Sequence, residues 1–269
     1  MYAKKIKKNV LYFLLLVISS VCTEGSFAFD KHRVLEAATL EYPPYQYIEN
    51  NQAKGIAVEI IKEAIRRTGV NGVNFSFYPW NRAVLMTKTG HSDILFNAGK
   101  NKERQQWGEY VESTLIQQKY VLFKIKDSSF SVSPDLNNEQ DLIIAIRLGY
   151  LYGSGKFRQS IDTGKFKNVI FSKSTEQSVA ILLSKKADLF VGDYLPVMHY
   201  LKKNGLLDKI DIVSELGTTD ILVVLKWPTY ILFSKKTISK QYVDEVNTVM
   251  EQMKLDGTYQ RIYSKYVNF

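Results

Sequence analysis

The chain has 269 residues, a formal net charge of +9 at pH 7 and a single cysteine. This length is enough for one large or two medium domains, and one cysteine excludes a fold held together by intrachain disulfides. The positive charge is spread along the sequence, so it does not indicate a nucleic-acid-binding surface.

The first 28 residues are predicted to be a cleavable signal peptide. Four lysines precede an apolar run over residues 10–21 that is short for a membrane span. Ser26 and Ala28 place small side chains at the two positions that a signal peptidase reads. We therefore expect cleavage before Phe29 and an exported mature protein.

Two alternatives exist for this N-terminal segment. A lipoprotein anchor on Cys22 is disfavoured by the bulky Val21 before it, and a retained anchor is disfavoured by polar residues that interrupt the apolar run. Cleavage would leave 241 residues with no cysteine and a formal charge of +6, because the removed segment holds four lysines and one glutamate.

After this segment, strand-like and helix-like patterns alternate, which favours an α/β fold with mostly parallel sheets. Residues 34–40 are predicted to be a strand, and the proline-containing residues 41–45 a rigid turn. Residues 56–68 show the 3.6-residue period of an amphipathic helix, and Gly69 suits its C-terminal end. Residues 73–78 are predicted to be the second strand.

Residues 80–104 form the most informative stretch. Their pattern predicts a short helix ending at Gly90, a buried strand over 93–96, an open turn over 97–99 and a basic run that ends at Arg104. A strand followed by an open turn is a common way for α/β proteins to present a charge to a ligand at the carboxyl edge of the sheet. A solvated surface turn is the simpler alternative.

A second α/β set follows. It is predicted to contain a strand over residues 142–147, a turn at 149–150, a helix from about 154, a strand over 169–171 and a helix over 174–184. The next strand ends at Asp193, which could cap the following helix or bind a ligand. Two helices within residues 239–269 end the chain, and we expect them to return to the first set.

Arg104 and Asp193 each follow a buried strand, so both could face a ligand from the edge of a sheet. A guanidinium matches the two oxygens of a carboxylate, and a desolvated ammonium needs a fixed carboxylate. Together these residues would suit a small zwitterion.

The order and spacing of these motifs resemble the periplasmic solute-binding proteins of family 3, the polar amino-acid type that serves ABC transporters. The likeness covers nearly all of residues 34–267. It is carried by Tyr42 to Tyr45, Gly55, Trp80, Gly90, Asp93, Glu103, Arg104, the strand from Asp188 to Asp193, Asp256 to Tyr259, Ile262, Tyr263 and Tyr266.

The resemblance implies a type II periplasmic-binding-protein fold with two lobes, each a mostly parallel sheet flanked by helices, and two hinge crossovers between them. It implies a first lobe made of residues 29–118 and 227–269 and a second lobe made of residues 119–226. Ligand binding would shift an open–closed equilibrium by contacting both lobes.

The resemblance also implies roles for single residues. Arg104 would bind the ligand's α-carboxylate, and Asp193 would hold its α-ammonium from the other lobe. Tyr42 and Trp80 would be aromatic walls against the ligand side chain.

Two turns depart from the family pattern. Phe96, Asn97 and Gly99 stand where the family commonly places serine or threonine hydroxyls, and the resemblance implies that the turn over residues 97–99 supplies backbone groups to the carboxylate. Gly149 and Tyr150 stand where the family has glycine followed by serine or threonine, before a helix N-terminus suited to an anion. These changes make the predicted cleft less like a plain α-amino-acid site.

Three functions are compatible with these observations. The first is a binding protein that captures a small zwitterion and delivers it to an ABC transporter. The second is an orphan sensor that docks on a membrane receptor, and the third is an exported dehydratase-like enzyme with Glu41 or Asp193 as its acid. We favour the first function and expect a monomer that has no catalytic activity, binds no nucleic acid and carries no cofactor. We also expect no metal site, since the three histidines are isolated in the sequence.

Overall fold

The computed structural model describes residues 30–130, 132–133, 135–136, 139–150 and 152–267. The predicted signal peptide and its cleavage site lie outside the described residues. Within these ranges, no helix combines the length and the apolar character needed to span a bilayer.

Twelve strands and eight helices make up the described part of the chain. The strands are β1 (Val34–Thr39), β2 (Tyr47–Glu49), β3 (Gln52–Lys54), β4 (Gly72–Phe77), β5 (Ile94–Ala98), β6 (Gly108–Tyr110), β7 (Ile116–Ile125), β8 (Glu139–Arg147), β9 (Phe166–Ser172), β10 (Leu189–Asp193), β11 (Ile210–Ile212) and β12 (Val223–Ser234). The helices are α1 (Ile56–Arg67), α2 (Trp80–Thr89), α3 (Lys102–Trp107), α4 (Lys156–Asp162), α5 (Thr175–Leu183), α6 (Tyr194–Lys203), α7 (Lys240–Leu255) and α8 (Thr258–Ser264).

The main sheet follows the strand order β4-β1-β5-β12-β7-β10-β8-β9, with β6 beside β12 and β11 beside β7. Strand β1 is parallel to β4 and β5, and β8 is parallel to β9 and β10. The predicted α/β class with parallel strands is therefore confirmed in both sets. Strands β7 and β12 run antiparallel to each other and to β10 and β5, so this pair connects the two parallel sets.

The turn over residues 42–46 is held against the start of α1. The first two N–H groups of α1 donate to the carbonyl oxygens of Pro44 and Tyr45, at 3.1 and 2.8 Å. Gly55 precedes this helix with φ 117°, and a Cβ at that position would collide with the Tyr45 carbonyl. The side chains of Tyr42 and Tyr45 are consequently positioned by a rigid backbone contact.

Strand β5 is longer than predicted, so the prediction of an open turn directly after Phe96 is wrong. Asn97 and Ala98 continue the strand because Ala98 pairs with Tyr230 of β12, beside a register shift in β12. The basic run that follows is a helix, not a plain turn. Its N-cap is Asn101, whose side chain accepts the backbone N–H of Arg104 at 2.7 Å.

The two C-terminal helices lie against α1. The hydroxyls of Thr68 and Tyr242 are 2.9 Å apart, and Arg67 forms a 2.6 Å ion pair with Asp256. The apolar face of α7 is buried, as its period predicts. The two C-terminal helices thus return to the first α/β set, as predicted.

Candidate ligand-binding site

A cleft of about 480 Å³ lies where the two sets of strands meet. Its walls come from the loops after β1, β5 and β8, from α2 and α3, and from β7 and β12. The lining residues are Leu40, Tyr42, Trp80, Asn97, Gly99, Lys100, Asn101, Arg104, Gln118, Tyr120, Tyr150, Trp227 and Thr229. Six of the eight residues predicted to bind ligand line it, namely Tyr42, Trp80, Asn97, Gly99, Arg104 and Tyr150.

Arg104 is held in this cleft by neutral groups. Its Nη1 donates to the carbonyl oxygen of Gly99 at 2.9 Å, and its guanidinium lies 5.2 Å from the centre of the Trp80 ring. Among the described residues, no carboxylate lies within salt-bridge distance of it. A planar cation with unused N–H donors is therefore presented to the cleft.

One wall of the cleft is the indole of Trp227, which packs on the backbone of Gly99. A Cβ at Gly99 would lie 2.9 Å from Nε1 of Trp227, which is closer than real side chains approach. The absence of a side chain at Gly99 is what allows Trp227 to reach the lining. The Gly99 carbonyl is already used, because it accepts hydrogen bonds from Arg104 and from the Tyr110 hydroxyl.

Lys100 is the second cation of the cleft. Its Nζ lies 4.4 Å from the ring centre of Tyr230 and 2.5 Å from a carboxylate oxygen of Glu112. The side chain of Glu112 is 76% exposed, whereas that of Lys100 is 29% exposed. The ammonium therefore lies against Tyr230 and a solvated carboxylate, and neither Tyr230 nor Glu112 lines the cleft.

Asp193 borders a smaller cavity of about 20 Å³, which shares Tyr42, Tyr120 and Tyr150 with the cleft. Asp193 occupies the N-cap position of α6, but its side chain makes no capping hydrogen bond. Its Oδ1 instead accepts the Tyr45 hydroxyl at 3.0 Å, and its buried Oδ2 has no hydrogen-bond partner among the described residues. Oδ2 of Asp193 can therefore accept a hydrogen bond from a ligand.

Burial controls the ionisation of this cluster. Asp193 is only 3% exposed, and desolvation raises its pKa to about 8, although the hydroxyls of Tyr45 and Tyr42 oppose that rise. The pKa values of Tyr42, Tyr45 and Tyr120 are also raised, first by burial and then by the charge of Asp193. The cluster is therefore poised to take up a cationic group, which would relieve the unfavourable burial of a lone carboxylate.

Asn97 lines the cleft, and its side chain also belongs to a buried polar network. Its Nδ2 donates to Gln46 at 3.0 Å, and its Oδ1 accepts from Gln118 at 3.4 Å and from Thr229 at 2.5 Å. Asn97 has φ 55°, a conformation that asparagine tolerates better than most residues. The amide thereby links β5, β7 and β12 to the turn that carries Tyr42.

Replacing Asn97 with alanine is expected to lower the free energy of unfolding by about 2–4 kcal/mol. The change removes three buried hydrogen bonds, leaves Oε1 of Gln46 and Nε2 of Gln118 without their partner, and adds backbone strain, whereas the Thr229 hydroxyl keeps the Ile116 carbonyl. Denaturant unfolding measures it, with Asn74→Ala as the control, because Asn74 makes one exposed hydrogen bond to Glu36. Equal losses in the free energy of unfolding of the two variants would show that the network adds nothing to the stability of the fold.

The two predicted residues of the second turn are placed differently. Tyr150 lines the cleft, with the guanidinium of Arg147 lying 5.4 Å from its ring centre. Gly149 has φ 80° and does not line the cleft or the small cavity. The following helix, α4, begins at Lys156, so the turn and the helix N-terminus are separated by several residues.

Sequence reasoning missed several lining residues. Gln118 and Tyr120 lie on β7, and Trp227 and Thr229 lie on β12. These strands read only as apolar runs, and nothing local indicates which side chains face the cleft. Lys100 was visible as part of the basic run, and its position directly after a buried strand was the available signal.

The described residues contain no group of three or more histidine, cysteine, aspartate or glutamate side chains arranged to hold a metal ion. The groups that the cleft offers are cations, amides, hydroxyls and aromatic rings. They are suited to reversible binding of a small organic molecule.

Comparison with known proteins places this geometry in context. The profile of the bacterial extracellular solute-binding proteins, family 3, matches residues 35–269. The L-cystine-binding protein TcyA of Bacillus subtilis (strain 168) is 23% identical over 235 residues, which cover 84% of this chain and 77% of TcyA.

Solved structures share the fold. An ancestral cationic amino acid solute-binding protein aligns with a TM-score of 0.67 at 22% identity, over 87% of this chain and 96% of that protein. A histidine kinase sensor domain with similarity to periplasmic binding proteins aligns with a TM-score of 0.66 at 16% identity, over 89% of this chain and 98% of the domain.

Proposed function

The chain belongs to family 3 of the bacterial extracellular solute-binding proteins, and on that premise we propose that it captures an amino acid or a close analogue and delivers it to an ABC transporter. Capture would occur in the periplasm by closure of a lobe made of residues 29–118 and 227–269 onto a lobe made of residues 119–226. The cleft that gathers six separately predicted residues is the observation that carries this proposal.

Each end of a zwitterion has a partner in this proposal. Arg104 binds the carboxylate, since its guanidinium has no acidic partner among the described residues. Asp193 accepts the ammonium on its unpartnered Oδ2. The Tyr45 hydroxyl bonds to Asp193 across the two proposed lobes, so the same carboxylate takes part in closure. Tyr42 and Trp80 enclose the ligand side chain.

Thermal unfolding of the purified protein against a panel of amino acids, small peptides and organic acids tests the proposal. A ligand that binds only the folded state adds about 2.7 kcal/mol at a hundredfold excess over its Kd. For a protein of this size we expect an increase in Tm of about 5–10 °C with at least one amino acid, because 1 kcal/mol corresponds to about 2–4 °C. No shift with any amino acid would refute amino-acid capture.

A sensor is the second candidate, favoured by the fold shared with a histidine kinase sensor domain. Sensor and transport protein would bind ligand in the same way. Permease genes beside the gene for this protein would support transport, and a membrane receptor that co-purifies with the liganded protein would support sensing.

An exported enzyme is the third candidate, and one feature favours it. A buried Asp193 with a pKa of about 8 retains a proton near neutral pH, as a general acid must. Conversion of a cyclohexadienyl acid such as prephenate, followed by absorbance, would support this role. Loss of that conversion in Asp193→Asn would assign the proton to this residue.

A further inference from the structure

A second cavity of about 190 Å³ adjoins the cleft, and we call it the side pocket. It is lined by Tyr120, Tyr150, Tyr152, Leu225 and Trp227. Tyr120, Tyr150 and Trp227 also line the cleft, so the two cavities share these side chains. Among the described residues, the lining of the side pocket consists of four aromatic rings and one leucine, without a charged side chain. It therefore offers a ligand in the cleft an apolar space.

Two of the tyrosine hydroxyls around the side pocket are engaged within the protein. The hydroxyl of Tyr152 accepts the backbone N–H of Arg147 at 2.7 Å, and that of Tyr120 donates to Oε1 of Gln118 at 3.4 Å. A polar group of a ligand that entered the side pocket would therefore lose water without gaining a matching partner from these hydroxyls. An apolar group would gain free energy from the burial of its surface.

Tyr152 is held rigidly by its surroundings. Its φ of 51° is a left-handed conformation that bulky residues rarely adopt. Its ring makes edge contacts with Phe157 and Tyr120, at centre-to-centre distances of 5.4 and 6.0 Å, and the residue is 4% exposed. The packing and the hydrogen bond to Arg147 offset the cost of that backbone conformation. This wall of the side pocket is therefore preformed, as the walls of ligand sites usually are.

The surroundings of the aromatic rings disfavour a cationic side chain. Rings attract cations through their faces, but the guanidinium of Arg147 already lies 5.4 Å from the centre of the Tyr150 ring. Arg147 lines the small cavity, which shares three tyrosines with the side pocket, so a second positive charge would be repelled. Asp193 borders the same small cavity, but the proposed function commits its charge to the α-ammonium of the ligand.

Trp227 connects the side pocket with Arg104. Its indole packs on Gly99, and the carbonyl oxygen of Gly99 accepts Nη1 of Arg104 at 2.9 Å. A ligand whose carboxylate binds Arg104 therefore lies beside the Trp227 indole, which lines both cavities. The side chain of that ligand then has the side pocket as its neighbouring space.

We propose that the side pocket receives the side chain of the ligand, and that the natural ligand is an amino acid, or a close analogue, with an apolar side chain. Tyr42 and Trp80 flank that side chain in the cleft. Tyr152, Leu225 and Trp227 enclose its end and determine the specificity. This inference rests on the proposed function, because it assigns the side-chain class of the ligand in the same cleft.

Isosteric pairs of amino acids test the inference by calorimetry on the purified protein. L-Leucine is compared with L-asparagine, L-norleucine with L-ornithine, and L-phenylalanine with 4-pyridyl-L-alanine. Within each pair the size is nearly kept, and an apolar group is replaced by an amide, an ammonium or a ring nitrogen. We expect at least one apolar member to bind at least about tenfold more tightly than its polar partner, the scale of burying an apolar side chain.

Leu225→Asn should reduce that preference to less than about threefold, because it places an amide in the side pocket with little change in size. Leu216→Asn is the matched control and should leave the preference unchanged, because Leu216 is 64% exposed and lines neither cavity. The Tm of each free variant verifies that the fold is intact. Leu225→Ala is a second variant that enlarges the side pocket, so it should shift the ratio of Kd values in favour of L-phenylalanine over L-leucine.

The outcomes are distinct. Equal or tighter binding of the polar member in all three pairs would overturn the inference, and so would an apolar preference that Leu225→Asn leaves unchanged. Binding of polar or charged amino acids alone would overturn it and leave the proposed function standing. No shift in Tm with any amino acid of the wider panel would refute both.

Discussion

Arg104→Ala is expected to weaken ligand binding by about two to three orders of magnitude. Removing one partner of a desolvated ion pair costs about 3–5 kcal/mol, and each 1.4 kcal/mol is a factor of ten in Kd. Most of the effect should appear in binding, because Arg104 makes no ion pair with the described residues and contributes to the fold one hydrogen bond to Gly99 and the stacking on Trp80. Calorimetric titration of the best ligand from the panel measures the change.

Arg82→Ala is the matched control for this variant. Arg82 also stacks on an aromatic ring, with its guanidinium 5.0 Å from the centre of Tyr78, but it does not line the cleft. Its removal should change Kd by less than about threefold, which is the scale of a surface substitution. Similar losses in both variants would mean that Arg104 acts through the general charge of the protein.

The second large effect concerns Asp193 and pH. Without ligand, the free energy of unfolding should fall between pH 5 and pH 8. The carboxyl has a pKa of about 8 in the folded protein and about 3.9 when unfolded, so the folded state binds more protons over this interval. Stability falls with rising pH wherever the folded state binds the extra proton.

Asp193→Asn should remove this decline, because the amide has the same shape and does not ionise. At pH 8 the variant should be more stable than the natural protein, by several kcal/mol in order of magnitude. Denaturant unfolding at pH 5, 6, 7 and 8 measures it. Parallel profiles for the two proteins would contradict the assignment.

Asp93→Asn is the contrasting control. Asp93 is also buried, but its carboxylate lies 2.7 Å from the guanidinium of Arg33, so the same change should lower the free energy of unfolding at all four pH values.

For a ligand that carries an ammonium, the affinity should change with pH in the opposite direction to the free energy of unfolding of the free protein. Ion pairing requires the ionised carboxylate, so the affinity should rise with pH up to about 8 and complex formation should release a proton. Calorimetry in buffers of different ionisation enthalpy counts that proton. Asp193→Asn should bind without releasing it.

Local pattern was sufficient to predict the elements that carry the site. The helix α1, the helix that ends before Gly90 and the α/β alternation follow from contacts between near neighbours in sequence, which periodicity and caps report directly. The length of β5 was not predictable in this way, because the strand is extended past Phe96 by the pairing of Ala98 with Tyr230 of β12, more than 130 residues downstream.

The chain sequence by itself determined the fold class and the residue types available to the cleft, including Arg104, Trp80 and Tyr42. Only the tertiary structure decided how those residues are partnered. Asp193 is buried beneath Tyr45, 148 positions away in the chain, and Trp227 reaches the cleft by packing on Gly99. Burial and partner choice set charge and affinity, and both depend on contacts between distant segments that no local pattern contains.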